Sequence, residues 1–256
     1  MLNAMFDFVF PPSLMLGLMT AIGLAFGSFG NVLIFRLPEH ESITGRSHCP
    51  ACHRTLAVWE LFPVISFLVL RGKCSGCGKK ISWQYPLIEL ATCLLFIFAI
   101  IQSNFFFWHA LAFAFSLWLL LLIAIIDART SLIPDILSVP FIILAIITQL
   151  AGHTFDATGM ILGASFFGIQ WLISRGAWVG SGDILLGLGI GALLGGWREV
   201  SIFLFFSYII GACFALWVLS SKRKGINDAV PFGPFLVMGT FLTVVFGSAL
   251  RVYLVF

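Results

Sequence analysis

Trp178-Val-Gly-Ser-Gly-Asp183-Ile-Leu-Leu-Gly187 decides how the chain is read, because it sets a carboxylate behind three small residues at the mouth of an apolar run. A charge at the edge of hydrocarbon is costly, so Asp183 is a functional candidate and a partner is expected for it. Asp127 is that partner. It ends the apolar run Phe105–Ile126 as Asp183 begins the run Ile184–Gly195, and the orientation argued below puts both on one side of a membrane. Two carboxylates at one depth can share a proton, one then serving as base and the other as acid. That is the equipment of aspartate-dependent proteolysis.

Composition fixes the class. With 60% hydrophobic and 10% charged residues and a mean hydropathy of +1.08, the chain is far from a soluble domain, in which about a quarter of residues carry charge. It reads as an all-α polytopic bundle whose partner is the lipid bilayer. The net charge of +3 gives no support to a nucleic-acid partner. No basic region precedes the first apolar run, which is too long for a cleaved signal peptide and is expected to be a permanent span.

Apolar runs at about 13–37, 86–103, 105–126, 135–151, 157–174, 182–197, 199–220 and 232–250 predict eight transmembrane helices, two of them (135–151 and 182–197) short for a full crossing of about 20 residues. Lys and Arg set the orientation. If the loop after the first span is cytoplasmic, that side holds Arg36, Arg46, Arg54, Arg71, Lys73, Lys79, Lys80, Arg129, Arg175, Lys222, Arg223 and Lys224, and the other keeps Arg198 and Arg251. Asp127, Asp183 and the Asp228 loop then face the cytoplasm.

Small residues at four-residue spacing, Gly187, Gly191 and Gly195 with Gly159 and Gly163, are expected as packing ridges for the helix that carries Asp183. Gly180 and Gly182 flank that aspartate, and without side chains they would let backbone N–H groups or an extended peptide approach it. Glu89, inside the second run, is expected to pair with a Lys or Arg of the cytoplasmic loop. Asp135, after Pro134, reads as a helix-start residue meeting free N–H groups and the positive end of the dipole. His109 reads as an ordinary residue near the outer face.

The polar insert at about 38–85 carries Cys49-Pro-Ala-Cys52 and Cys74-Ser-Gly-Cys77, separated by 21 residues. Two such pairs predict a structural zinc site of four thiolates with no open position. Disulfides are the rival, and a reducing cytoplasm disfavours them. His48 and His53 flank the thiols as substitute ligands. Cys93 and Cys213 lie alone in apolar runs and read as packing residues. So small an insert would take its folding energy from the metal.

Taken in order, a set of further motifs joins these. They are Gly27-Ser28-Phe29-Gly30-Asn31-Val32 with Arg36-Leu37-Pro38, then Pro63, Ser66 and Leu70-Arg71-Gly72-Lys73-Cys74, then Tyr85-Pro86-Leu87-Ile88-Glu89. Asp127 with Ile133-Pro134-Asp135, Gly180-Ser181-Gly182-Asp183 and Pro231-Phe232-Gly233-Pro234-Phe235 complete it. The ordered set resembles the bifunctional type IV prepilin peptidases, aspartyl proteases of the GxGD type.

The resemblance implies a multi-pass enzyme of the bacterial inner membrane. It would cut the leader of prepilins or pseudopilins at the cytoplasmic face and methylate the new amino-terminal residue with S-adenosylmethionine. Asp127 and Asp183 match the catalytic pair. Residues 1–103 match the amino-terminal, methyltransferase-like region and 104–256 the peptidase region. Three positions depart from the family's pattern: Leu185, where Lys is frequent, Leu61, where Asn is frequent, and Gly30, where a larger apolar residue is common.

Other chemistries find less to stand on. The chain offers no serine paired with a histidine and no H-E-x-x-H motif, and no Rossmann-type glycine fingerprint for a methyl donor. Glu60 and Glu89 are acids that could orient an amine, though structural ion pairs also explain such residues. The competing functions are a peptidase without methyl transfer, an ion-coupled transporter relaying protons through Asp127, Asp183 and Glu89, and a zinc-ribbon scaffold whose aspartates are helix caps.

Overall fold

The computed structural model describes residues 11–152, 155–220 and 230–253, with side chains described as far as Gly247. Lys222, Arg223, Lys224 and Asp228, the stretch before Pro11 and the side chain of Arg251 lie outside the described residues.

Nine α-helices follow one another among the described residues: α1 (Pro12–Arg36), α2 (Ile65–Val69), α3 (Gln84–Gln102), α4 (Phe107–Thr130), α5 (Asp135–Ala151), α6 (Thr158–Ser174), α7 (Ser181–Leu194), α8 (Trp197–Ser220) and α9 (Gly233–Tyr253). A 3-10 turn, Val58–Leu61, precedes α2 in the polar insert. All eight apolar runs become helices, so the all-helical membrane architecture holds.

The expected eight crossings do not. Among the described residues, α1, α3, α4 and α8 are the helices at least 18 residues long and apolar enough to cross a membrane, while α5, α6, α7 and the described part of α9, Gly233–Gly247, are shorter apolar helices. The cause is local. The 14 residues of α7 extend only about 21 Å at 1.5 Å per residue, against a hydrocarbon core of about 30 Å. Gly195, at φ +86°, stops α7, and Arg175, in the left-handed region, stops α6.

The chain falls into two compact units, one reaching Ala114 and one beginning at Phe115. In the first, α1 packs along α3. A Cβ at Gly23 would lie 2.8 Å from Cys93 Cα, and one at Gly27 would lie 2.6 Å from Glu89 Cα. This small-residue seam brings the two backbones together.

In the second unit α7 is the central element, packing on α5, α6, α8 and α9. Gly159 and Gly163 of α6 face Gly187, Gly191 and Gly195 so closely that added Cβ atoms would strike backbone carbonyls of the opposite helix. The expected ridge is therefore the α6–α7 contact. Gly189 faces the other way, and a Cβ there would lie 2.7 Å from Phe141 Cδ1 of α5.

Candidate functional site

Asp127 sits in the last turn of α4 and is buried, 4% exposed. Its Oδ2 accepts the N–H of Gly233, the first residue of α9, at 2.8 Å. A Cβ at position 233 would lie 2.7 Å from that same oxygen, so the contact requires glycine. Sequence reading quoted the Pro-Phe-Gly-Pro loop and gave it no such role. The motif itself was the available signal, since proline on both sides of a phenylalanine–glycine pair marks a fixed turn.

Asp183 lies in the first turn of α7, half-buried. Its Oδ2 accepts the Gly180 N–H at 3.0 Å. The charge of Asp127 acts on it, so the fold brings the two carboxylates into one electrostatic neighbourhood. Gly180 supplies the backbone N–H that was expected near the carboxylate. Gly182 has a different use: a Cβ there would lie 2.8 Å from Ile133 Cβ, so its missing side chain lets α7 settle on the segment between Asp127 and Asp135.

One residue near this pair carried no signal in the sequence. Tyr208 of α8 lies within the electrostatic reach of Asp183 and its hydroxyl donates to Gln170 Oε1 of α6 at 3.1 Å. Its ring packs on Phe232, beside Gly233, with centroids 5.1 Å apart. Asp135 begins α5, exposed and in the first turn, where the helix dipole favours an acid. His109 takes the ordinary role expected of it, with Nδ1 2.7 Å from Ser103 Oγ.

In the first unit the four insert cysteines converge. The sulfurs of Cys49, Cys52, Cys74 and Cys77 all lie within 4.8 Å of one another and could hold a metal ion. Four thiolates on a tetrahedral metal at about 2.3 Å stand about 3.8 Å apart, and Cys49 and Cys77 are 4.0 Å apart. All six cysteines of the chain are free, so the disulfide rival is not realised. His48 and His53 are outside the cluster and pair with each other, ring centroids 6.0 Å apart.

The two knuckles are built alike. The Cys49 N–H donates to Arg54 O and the His53 N–H to Cys49 O; the Cys74 N–H donates to Lys79 O and the Gly78 N–H to Cys74 O. Antiparallel bridges His48–Thr55 and Lys73–Lys80 close the two loops. Backbone N–H groups of Ala51 and Cys52 pull the Cys49 thiol below its ordinary value, and those of Cys77 and Gly76 pull Cys74 down to about 6. Cys52 accepts the Arg54 N–H, but desolvation and the surrounding thiols push it up to about 11. One thiolate per knuckle is thus prepared, and a cation is what would let all four ionise.

Glu60 ties the knuckles together. Arg54 Nη2 donates to both its oxygens, at 2.7 and 2.9 Å, Ser75 Oγ to Oε1 at 2.5 Å and the Ala57 N–H to Oε2 at 2.7 Å. Arg54, then Ser75, hold its carboxyl down at about 2. Both oxygens are engaged, so Glu60 is a structural ion pair and not an amine ligand. Glu89 corrects another expectation. Among the described residues it has no Lys or Arg partner; its Oε2 accepts the Val64 N–H at 2.7 Å, and the Ser28 hydroxyl also meets it.

Two family models divide the chain. That of the bacterial peptidase A24 N-terminal domain matches residues 21–103, and that of the type IV leader peptidase family matches 113–216. A Bacillus subtilis protein named prepilin leader peptidase/N-methyltransferase is 36% identical, the match covering 92% of this chain and 96% of the relative. The chain belongs to the prepilin leader peptidase/N-methyltransferase family.

Proteins of the same name from Pseudomonas aeruginosa and Aeromonas hydrophila are each 30% identical, over 92% and 93% of this chain and 92% and 93% of their own lengths. No solved structure matches the chain. The first family model contains the cysteine cluster, Glu60, Asn31 and Glu89; the second contains Asp127 and Asp183. Gly233 lies beyond both, although it holds Asp127.

Proposed function

We propose that this protein is an aspartyl endopeptidase of the bacterial inner membrane that removes the leader of prepilins or pseudopilins at the cytoplasmic face and then methylates the new amino terminus. The observation that carries the reading is the pairing of Asp127 and Asp183, each fixed through Oδ2 by a glycine N–H and Asp183 lying within the field of Asp127. The relatives' shared name supports both activities and neither the transporter nor the scaffold reading.

The mechanism follows from the geometry. One carboxylate, ionised, takes a proton from water, and the resulting hydroxide attacks the scissile carbonyl. The other, protonated, donates to the carbonyl oxygen; as the tetrahedral intermediate collapses, the first passes the proton taken from water to the leaving amine and the second recovers its own from the diol. Because the glycine N–H groups occupy Oδ2 in both residues, the Oδ1 atoms are left for water and substrate. No acyl intermediate forms. A prepilin's apolar helix shares the bilayer with the enzyme, so its leader meets the dyad at the inner interface.

Zinc suits the Cys49, Cys52, Cys74 and Cys77 cluster, whose sulfurs are spaced for a tetrahedral ion and leave no position open for chemistry. The metal holds the insert folded. S-adenosylmethionine supplies the methyl group. We assign its nucleoside and carboxylate ends to a hollow of about 370 Å³ in the amino-terminal region. Phe67 and Trp83 offer aromatic surface there for a planar base, and Arg71, Lys73 and Lys80 offer cations for a carboxylate. Residues 1–103 are accordingly the methyltransferase region and 104–256 the peptidase region.

Co-expression with a prepilin, followed by the substrate's mass, tests this. The wild type is expected to remove the leader and add one methyl group, and Asp127→Asn and Asp183→Asn to leave the substrate uncut. A cut but unmethylated product would reduce the reading to a peptidase, and an active Asn variant would sink the dyad.

A further inference from the structure

Glu89 and Asn31 are buried polar side chains that neither cleavage nor the metal cluster uses, 7% and 2% exposed. Both belong to the α1–α3 seam. An ionised carboxylate in a membrane bundle is expected to have a cation nearby, yet among the described residues Glu89 is met by the Val64 N–H and the Ser28 hydroxyl and by no Lys or Arg.

Asn31 supplies a second, independent anomaly. Its Nδ2 donates to Gly27 O at 3.3 Å and Tyr85 O at 3.1 Å, while its buried Oδ1 has no partner. A buried acceptor without a donor is costly, and a ligand that supplies one removes the cost. Gly27, which lies against Glu89, is one turn before Asn31, and Tyr85, which meets Asn31, is one turn before Glu89. The two residues therefore stand on neighbouring turns of one seam.

We propose that Glu89 and Asn31 Oδ1 form a subsite for a primary ammonium, the new amino terminus of the cleaved substrate held for methylation. The inference rests on the reading of the chain as a peptidase that methylates its product. An ammonium has three donors and no acceptor, which matches a carboxylate and an orphaned carbonyl oxygen. Its charged hydrogen bonds are the short, strong kind that a carboxylate and a carbonyl oxygen on neighbouring turns can share. The charge that Glu89 lacks arrives with the ligand, and Glu89 accepts the proton the ammonium sheds before its nitrogen can be methylated.

Val64 marks the place of the incoming donor. It is β-branched and held at φ +62°, a conformation rarely adopted by such residues, with its N–H on Glu89 Oε2. That amide stands where an ammonium N–H would bind, and releasing it would relieve the strained turn.

The test uses full-length protein without methyl donor and a peptide of the mature substrate terminus, with its amine either free or acetylated. The wild type is expected to bind the free amine at least about tenfold more tightly, a difference of about 1.4 kcal/mol. Glu89→Gln and Asn31→Ala are each expected to lose most of that preference. In turnover, Glu89→Gln should cut the leader normally while the methylated fraction falls at least about tenfold, with Glu89→Asp recovering part.

Indifference of the wild type to acetylation, or wild-type methylation by Glu89→Gln, overturns the subsite. Retained amine preference with lost binding of S-adenosylmethionine alone also overturns it, because Glu89 would then serve the donor's sulfonium. Should Glu89→Gln fail to fold and lose cleavage too, Asn31→Ala and the acetylation comparison on wild type still decide. A wild type that leaves prepilin uncut refutes the peptidase reading instead, a result distinct from any of these.

Discussion

Gly233, Gly180 and Gly182 surround the two aspartates and differ in the room each leaves for a methyl group. At Gly233 a Cβ would meet Asp127 Oδ2 at 2.7 Å, and at Gly182 it would meet Ile133 Cβ at 2.8 Å, whereas at Gly180 the nearest atom, Asp183 Oδ2, is 3.5 Å away. Gly233→Ala is therefore expected to displace the Asp127 carboxylate and slow leader cleavage about 100-fold, the effect of a misplacement of about 1 Å. Gly182→Ala should slow it as well, and Gly180→Ala should cut near the wild-type rate; initial rates on one prepilin rank the three. Glu60 gives a pH prediction. Its folded value of about 2 lies below the ordinary 4.5, so its stabilisation is complete above about pH 4.5 and fades as the pH falls toward 2. Hydrogen exchange at the Ala57 amide, which donates to Glu60, should accelerate across that window in the wild type relative to its intrinsic rate at each pH. Glu60→Gln should show faster exchange already at neutral pH and no acceleration of that origin.

The knuckles and the glycine ridge carry predictions of their own. His53 and Gly78 hold equivalent places in the two loops, both in the left-handed region, at φ +56° and +71°. A non-glycine residue there costs about 1–2 kcal/mol, so His53→Gly is expected to stabilise the insert by up to about 1 kcal/mol. Slower metal release to a chelator would show it. On the α6–α7 contact, Gly163 faces the Gly187 carbonyl with no space for a side chain. Gly163→Val is expected to destabilise the fold by about 1–3 kcal/mol, the usual penalty of overpacking, and to lower cleavage because α7 carries Asp183. Thermal unfolding in detergent measures the first effect and substrate mass the second. The ridge was legible in the sequence as glycines at four-residue spacing. The seam at Gly23 and Gly27 has the same spacing but meets Cys93 and Glu89 instead of a second row of glycines, so no matching pattern announces its partner.

For the molecule as a whole, the cysteine cluster and the aspartate pair belong to separate compact units. Removing the metal with a chelator is therefore expected to depress methyl transfer further than cleavage, and equal loss of both on one substrate would argue against that division of labour. Membrane class, eight apolar helices and the cysteine cluster could be read without coordinates, because hydropathy is local and the Cys-x-x-Cys spacing fixes two ligands within one turn of chain. The hold of Gly233 on Asp127 joins residues 106 positions apart, and no local pattern encodes it. The same is true of Glu89, which a charge argument paired with a cation and the fold paired with the Val64 amide and Ser28. Three helices, α5, α6 and α7, also proved shorter than a full crossing, since apolar composition says a segment prefers lipid or core without fixing where a glycine or a left-handed residue will end it. The sequence alone thus determined the kind of molecule and the residues with chemistry to offer. Tertiary structure alone decided which of them meet, because close approach depends on backbone positions brought together from distant parts of the chain.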